Sequence, residues 1–426
     1  MYLRSSKWTM TRKRRPIHWF RIILLAILVA AAVYVQRVVL PTIPPPFVAT
    51  PTATRDPASY LADAERAFTG GKLQATIDAY NDAIKANPNQ AFVYISLARV
   101  QIYAGKYDDA LANAGNAILL EANNSMAHAV RGWAQFQKGD ATSAEASIQR
   151  ALELDPNNGM AHAYYAVLLG TQYVNGAGAL NGIQVAIEES KAAIALAPNT
   201  IEAHRARGYI LEITDNREQA VVEYKNAIAL NANLPDLHID LGRTYRAIGQ
   251  TDMAIQEYTL ANTLNPADPR PSLYASRALA AVGSYAQAAQ WAEQAVNADP
   301  TDPYLRGNWG VMLYYSNEWM KANVEFSFAV NGGTTDDGQE IEPLPLTGED
   351  DLITEFFYTY AMSLAKTNRC DQALPLAQMI EGAVPLDEAA IFVAQKATGL
   401  CQEIMLTPSP VPTAAGLPGI TPTATP

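Results

Sequence analysis

The sequence predicts an all-α protein: an α-solenoid of about nine helix-turn-helix units closed by a C-terminal capping helix and preceded by one transmembrane helix. Three observations carry this reading. Columns of small residues return at a period of 34, a column of turn-forming residues lies between them, and one apolar run stands near the N-terminus.

The first column is Ala64, Ala98, Gly132, Ala166, Gly208, Gly242, Ser276, Gly310 and Ala361. A second follows 12 residues later, with eight extra residues in the fourth unit: Thr76, Ala110, Ala144, Ala186, Ala220, Ala254, Ala288, Ala322 and Ala373. The third, seven further on, is Ala83, Ala117, Ala151, Ala193, Ala227, Ala261, Ala295 and Ala329, broken by Ile380 in the last unit. Small residues at fixed spacing let two helix backbones approach closely, so each unit reads as an antiparallel helix pair. Between the first two columns stand Gly71, Gly105, Gly139, Asp215, Gly249, Gly283, Asn317 and Asn368, residues that tolerate a left-handed backbone at a helix C-terminus. Units tend to end in Pro (Pro88, Pro156, Pro198, Pro266, Pro300, Pro385), where the second helix must stop. The units begin near Pro57, Ala91, Ser125, Gly159, Ile201, Pro235, Pro269, Pro303 and Thr354.

With second-helix aromatics such as Tyr80, Tyr224, Tyr258 and Phe326 and the stretch "ALELDPNN" at 151–158, this pattern resembles the tetratricopeptide repeat family. The resemblance covers 57–385, with insertions near 171–182 and 331–351, and implies a right-handed superhelix. The amphipathic segment 386–405 then serves as the cap that such an array needs over its open apolar end.

The N-terminal segment 1–21 is basic, and 22–40 is apolar and just long enough for a tilted helix to cross a ~30 Å hydrocarbon core. Seven positive charges before the span and Arg37 at its end predict the N-terminus inside and the bulk outside. The competing reading is a cleaved secretory signal, with Ala30-Ala31-Ala32 as the cleavage site and a secreted product. Residues 41–56 and 406–426 are Pro/Thr-rich, a linker and a disordered tail. From residue 38 onward 23 basic residues face 42 acidic ones, a net of −19, which excludes nucleic acid as a partner.

His128, His162, His204 and His238 form a column in the first helices of units three to six. Tyr60 and Tyr94 hold the equivalent places, so the column reads as half-buried packing; single histidines on successive units cannot converge as zinc ligands. The Gly-rich insertion at 170–182 lacks the Lys-Ser/Thr ending of a phosphate loop. The second insertion, with Asp336, Asp337, Glu340, Glu342, Glu349, Asp350 and Asp351, matches no calcium-loop spacing and reads as a solvated acidic loop. No catalytic motif, cofactor or metal is expected, and the chain reads as a non-enzyme.

Function then rests on surface. The family resemblance implies that the first helices line a concave groove for a protein or peptide. Along it the expected contacts are Arg99, Trp133, Phe136, Tyr209, Arg243, Arg246, Arg277 and Tyr314, since aromatics and Arg dominate binding hot spots. The family's clamp for a C-terminal carboxylate needs Asn on this stripe, and none stands there. The reading is an extracytoplasmic scaffold or adaptor on a single-pass anchor. Its rival is an accessory factor for surface polysaccharide, with Trp133, Phe136, Tyr209 and Tyr314 stacking on sugar rings. Cys370 and Cys401 lie symmetrically about Pro385-Leu386, the turn of the last helical hairpin, and are expected to form a disulfide.

Overall fold

A computed structural model describes residues 19–39 and 56–406. The chain divides into two compact units, 1–56 and 57–426. In the first, helix α1 (Trp19–Tyr34) runs on into a π-helical turn, Val35–Val39. Trp19–Val38 is long and apolar enough to cross a membrane, a property it shares with signal sequences. The basic residues before Trp19, the linker at 40–55 and the tail from 407 lie outside the described residues.

The second unit is a run of helix pairs. Units one to three are α2 (Pro57–Thr69) with α3 (Leu73–Ala86), α4 (Ala91–Tyr103) with α5 (Tyr107–Leu120), and α6 (Ser125–Gln137) with α7 (Ala141–Leu154). Units four to six are α8 (Gly159–Val174) with α9 (Gly182–Leu196), α10 (Ile201–Ile213) with α11 (Arg217–Leu230), and α12 (Pro235–Ala247) with α13 (Thr251–Leu264). Next come α14 (Pro269–Ala281) with α15 (Tyr285–Ala298), α16 (Pro303–Tyr315) with α17 (Trp319–Asn331), and α18 (Asp351–Lys366) with α19 (Cys370–Ala383), before the cap α20 (Glu388–Leu406). Unit nine thus starts at Asp351, three residues before the Thr354 expected from the spacing.

Several helix starts have a local cause. Asn124, Asn158, Asp268, Asp302 and Asp350 accept hydrogen bonds from N–H groups of the helix they precede, and Pro235, Pro269 and Pro303 occupy first positions where no N–H is needed. All eight turn residues named from the sequence have positive φ, and Gly176 does the same in the lengthened fourth unit. There α8 absorbs part of the insertion and leaves a loop at 175–181.

The three small columns form the interior of every pair, and their sizes are matched across it. Gly208, Gly242 and Gly310 face the rings of Tyr224, Tyr258 and Phe326, 16 residues on, and a Cβ at Gly242 would lie 2.7 Å from the Tyr258 ring. Where the column holds Ala98, Ser276 or Ala361, the residue 16 later is Ala114, Ala292 or Ala377. A fixed interhelical distance is therefore kept by trading volume between partners.

The second insertion is only partly a solvated loop. Gly333–Thr334 pairs antiparallel with Glu340–Ile341, Ile341 is buried, and Leu344 and Leu346 pack against the C-terminal core, while most of the acids stay exposed. Cys370 and Cys401 are joined across α19 and α20, with Cα atoms 5.5 Å apart.

Candidate functional site: the inner wall of the solenoid

Successive first helices pack on one another from α4 through α18, which makes them the tighter, inner layer. In the N-terminal half this wall closes on itself. Phe68, Leu73 and Tyr103 from units one and two pack with Ile201, Leu234 and Leu237 from units five and six. Asn231 Nδ2 donates to the Phe68 carbonyl (2.9 Å) and Asn233 Nδ2 to that of Thr69 (2.8 Å). Gly71 is needed twice there: its φ is +70°, and a Cβ would sit 2.6 Å from the Asn233 carbonyl oxygen.

Inside the closure lies a polar cluster. Arg99 donates to Glu202 Oε1 from Nη2 (2.7 Å) and Nε (3.2 Å), and Tyr103 Oη adds a third bond (3.1 Å). Burial opposes the charge on Glu202, yet Arg99 prevails and holds the carboxyl below its ordinary range. Arg205 Nε donates to Asp240 (2.7 Å), and Arg243 grips both oxygens of Glu212 (2.8 and 2.9 Å). Burial, reinforced by the neighbouring Glu202, pushes the Tyr103 hydroxyl well up, so it stays a donor. Trp133 stacks on Tyr164 (4.9 Å between centroids) and on Phe136 (5.2 Å).

The eight residues named from the sequence therefore separate. Trp133, Phe136, Tyr209 and Arg243 line one cavity of about 210 Å³, with Arg99 anchoring its Glu202. Arg246 is exposed, and Arg277 and Tyr314 lie further along. Arg277 donates to Tyr304 Oη (2.5 Å) and lies over its ring. Tyr314 meets Tyr315 edge-on at 5.2 Å, Tyr315 stacks on Tyr285 at 4.9 Å, and Lys366 Nζ sits 4.6 Å over Tyr314. Sequence reasoning missed Glu202, Arg205, Glu212 and Asp240. Arg205 was detectable, because its column otherwise holds Ala129, Ala163, Ile239 and Leu273.

Three of the four members of the histidine column do more than pack, while His128 faces the Ala122 carbonyl and Arg131. In His162, His204 and His238, Nε2 faces the carbonyl six residues back (Pro156, 2.9 Å; Pro198, 2.8 Å; Ala232, 3.0 Å). Nδ1 faces a second-helix carboxylate: Glu189, Glu223 (2.7 Å) and Glu257 (2.6 Å). Arg306 takes the same place in unit eight, donating to the Pro300 carbonyl (2.9 Å) and to Glu325 (2.8 Å). At His162 and His238 two acceptors suit a ring that donates from both nitrogens, which is the imidazolium. Accordingly the Glu189 hydrogen bond raises the His162 pKa, and for His238 the bonds to Glu257 and Ala232 outweigh an opposing burial effect. A raised folded pKa means stability present below the unfolded value of 6.5 and lost as pH rises through the folded value. The urea midpoint should fall between pH 6 and pH 9, and His162→Gln with His238→Gln should flatten that fall; an equal slope in the variant would refute the assignment.

Stacked helix pairs with paired small columns define the class: a helical-repeat solenoid. The tetratricopeptide repeat family model matches residues 95–159 and 239–303, so the chain carries tetratricopeptide repeats in these two segments. Among curated proteins none matches it. Similar solved structures include MamA (23% identity, 41% of this chain and 91% of that one, TM-score 0.27). Another is a tetratricopeptide repeat protein from Parabacteroides merdae (13%, 60% and 98%, 0.39). A third is YrrB, described as a TPR protein with an unusual peptide-binding site (20%, 46% and 96%, 0.28). This repeat architecture supports a protein-interaction scaffold.

Proposed function

We propose that the chain is a non-catalytic scaffold, carried outside the cytoplasmic membrane on its N-terminal helix, that binds a protein or peptide partner on its inner wall. The observation that carries the reading is the tyrosine surface of units seven to nine. Tyr285, Tyr314, Tyr315 and Tyr358 are left partly exposed there beside Arg277 and Lys366, whereas the N-terminal wall closes on itself through contacts of units one and two with units five and six. Tyrosine offers large, rigid, amphipathic contact area at small entropic cost, which suits a recognition surface. The charge asymmetry about the apolar helix supports the outward orientation. The polysaccharide reading has less support, because the Trp133 ring is stacked on protein neighbours and Tyr314 lies under Lys366.

The test is photo-crosslinking in the native membrane from position 315. A discrete protein adduct is expected, and Tyr314→Ala with Tyr315→Ala should weaken capture by about tenfold or more, at least ~1.4 kcal/mol, with helicity unchanged. Undiminished capture by that variant would remove the surface from consideration.

A further inference from the structure

A second groove lies between the second helices α17 and α19, apart from the inner wall and independent of the reading given to it. We propose that this groove takes an extended proline-rich segment, and that the segment is the chain's own 407–426. Its volume of about 550 Å³ falls inside the ~300–1,000 Å³ range of ligand sites. Phe357, Tyr360 and Leu364 of α18 lie along its floor, with Val330 of α17 on one side and Met379 of α19 on the other.

Three observations select the occupant. The first is that the protein already seats a segment of this kind beside the groove. Pro343-Leu344-Pro345-Leu346 of the second insertion runs without regular secondary structure, the Leu344 N–H donates to the Ala329 carbonyl (2.9 Å), and Leu344 and Leu346 pack on the core while both prolines stay exposed. The sequence Pro408-Ser409-Pro410-Val411-Pro412 repeats that alternation, with Val411 standing between prolines as Leu344 does. The second is the chemistry of the mouth. Pro343, Pro375 and Met379 expose apolar surface there, beside Arg369 and Gln372, whose side chains have no hydrogen-bond partner among the described residues. A polyproline-type chain has no internal hydrogen bonds, so its carbonyls can accept from such donors, and its preformed extended backbone loses little entropy on docking. Residues 407–426 carry no charged side chain, as an apolar groove requires.

The third is where the segment starts. Helices α19 and α20 run antiparallel, with the Cα atoms of Cys370 and Cys401 5.5 Å apart. Leu406 ends α20 five residues past Cys401, about 7.5 Å at the helical rise, so residue 407 follows beyond the start of α19, close to Arg369. Gln372, Pro375 and Met379 share the face of α19 turned away from Cys370. Rounding the helix takes about 15 Å, and following the groove from Arg369 to Met379 about 15 Å more. The 20 residues 407–426 reach up to ~62 Å at ~3.1 Å per residue, so about half of them suffice.

The experiment is a fluorescence-anisotropy titration, in detergent, of a labelled synthetic peptide of residues 407–426 with the full chain and with a chain stopped after Leu406, which keeps every described helix. Saturable binding to the shortened chain is expected, and binding to the full chain should be about tenfold weaker or more, because a tethered segment competes at an effective concentration in the mM range. Met379→Glu in the shortened chain puts a charge on the groove wall and should weaken binding about tenfold or more; Met379 is 55% exposed, so helicity should be unchanged. Val411→Asp in the peptide should weaken binding similarly and leaves the protein untouched. Tyr314→Ala with Tyr315→Ala should leave peptide binding as it is, which separates this groove from the inner wall. No saturable binding, binding indifferent to Met379→Glu or to Val411→Asp, or loss of binding in the tyrosine variant would each overturn the site. Equal binding to the shortened and full chains would overturn the assignment to the chain's own segment and give the groove to a partner's segment of the same kind.

Discussion

Arg99→Ala is expected to destabilise the N-terminal turn of the solenoid by about 3–5 kcal/mol, the cost of leaving one partner of a buried ion pair alone. Glu202 sits with 7% of its side chain exposed, and Arg99 supplies two of its three hydrogen bonds. The pair joins α4 to α10, so its loss also loosens the closure that Asn231 and Asn233 make with unit one. Repeat arrays need not unfold in one step, so the effect should be read by amide hydrogen exchange in α4 and α10. Arg99→Met combined with Glu202→Leu should recover most of the loss, since removing both charges removes the uncompensated one. A single-variant loss under about 1 kcal/mol would mean that the carboxylate finds water or becomes protonated instead.

That expectation departs from what the sequence alone suggests for these arginines, and the reason is physical. A period of 34 residues encodes contacts within a pair and between neighbouring pairs, so the columns, the turns and the unit starts are legible. The closure joins unit one to six and unit two to five, and no neighbour-to-neighbour period carries that information. Arg243 on the stripe looks free until Glu212 comes within 2.8 Å. Glu212 itself occupies the column of Phe68, Ile102, Phe136, Arg246 and Tyr314, where attention to aromatics and arginine passes over an acid. Two of the histidines misled in the opposite sense: Tyr60 and Tyr94 at the same position suggested packing, while Arg306 in unit eight, bonded as His162 and His238 are, marks a cationic position; His128, whose Nδ1 faces Arg131, does not share it.

Breaking the Cys370–Cys401 bond should cost the C-terminal end about 3–4 kcal/mol, since the separation of 31 residues closes a loop of that size in the unfolded chain. The dependence is sharpened by how little α20 buries. Its fully buried residues are the small Ala390, Ala394, Ala397 and Cys401, Val393, Leu400 and Ile404 pack against the core while only partly buried, and Phe392 and Leu406 are exposed, so apolar burial at ~25 cal/mol per Å² is incomplete there. Unit nine follows the insertion at 331–351 rather than a tight connection, and Ile380 replaces the small residue of the third column. The covalent link therefore adds to the packing of the last helix on α18 and α19. Cys370→Ser with Cys401→Ser, or reduction of the native protein, should accelerate amide exchange across Glu388–Leu406 and leave α4 to α13 unchanged. Two titratable thiols in the unreduced, denatured protein, or exchange in α20 indifferent to reduction, would show that packing alone holds the cap.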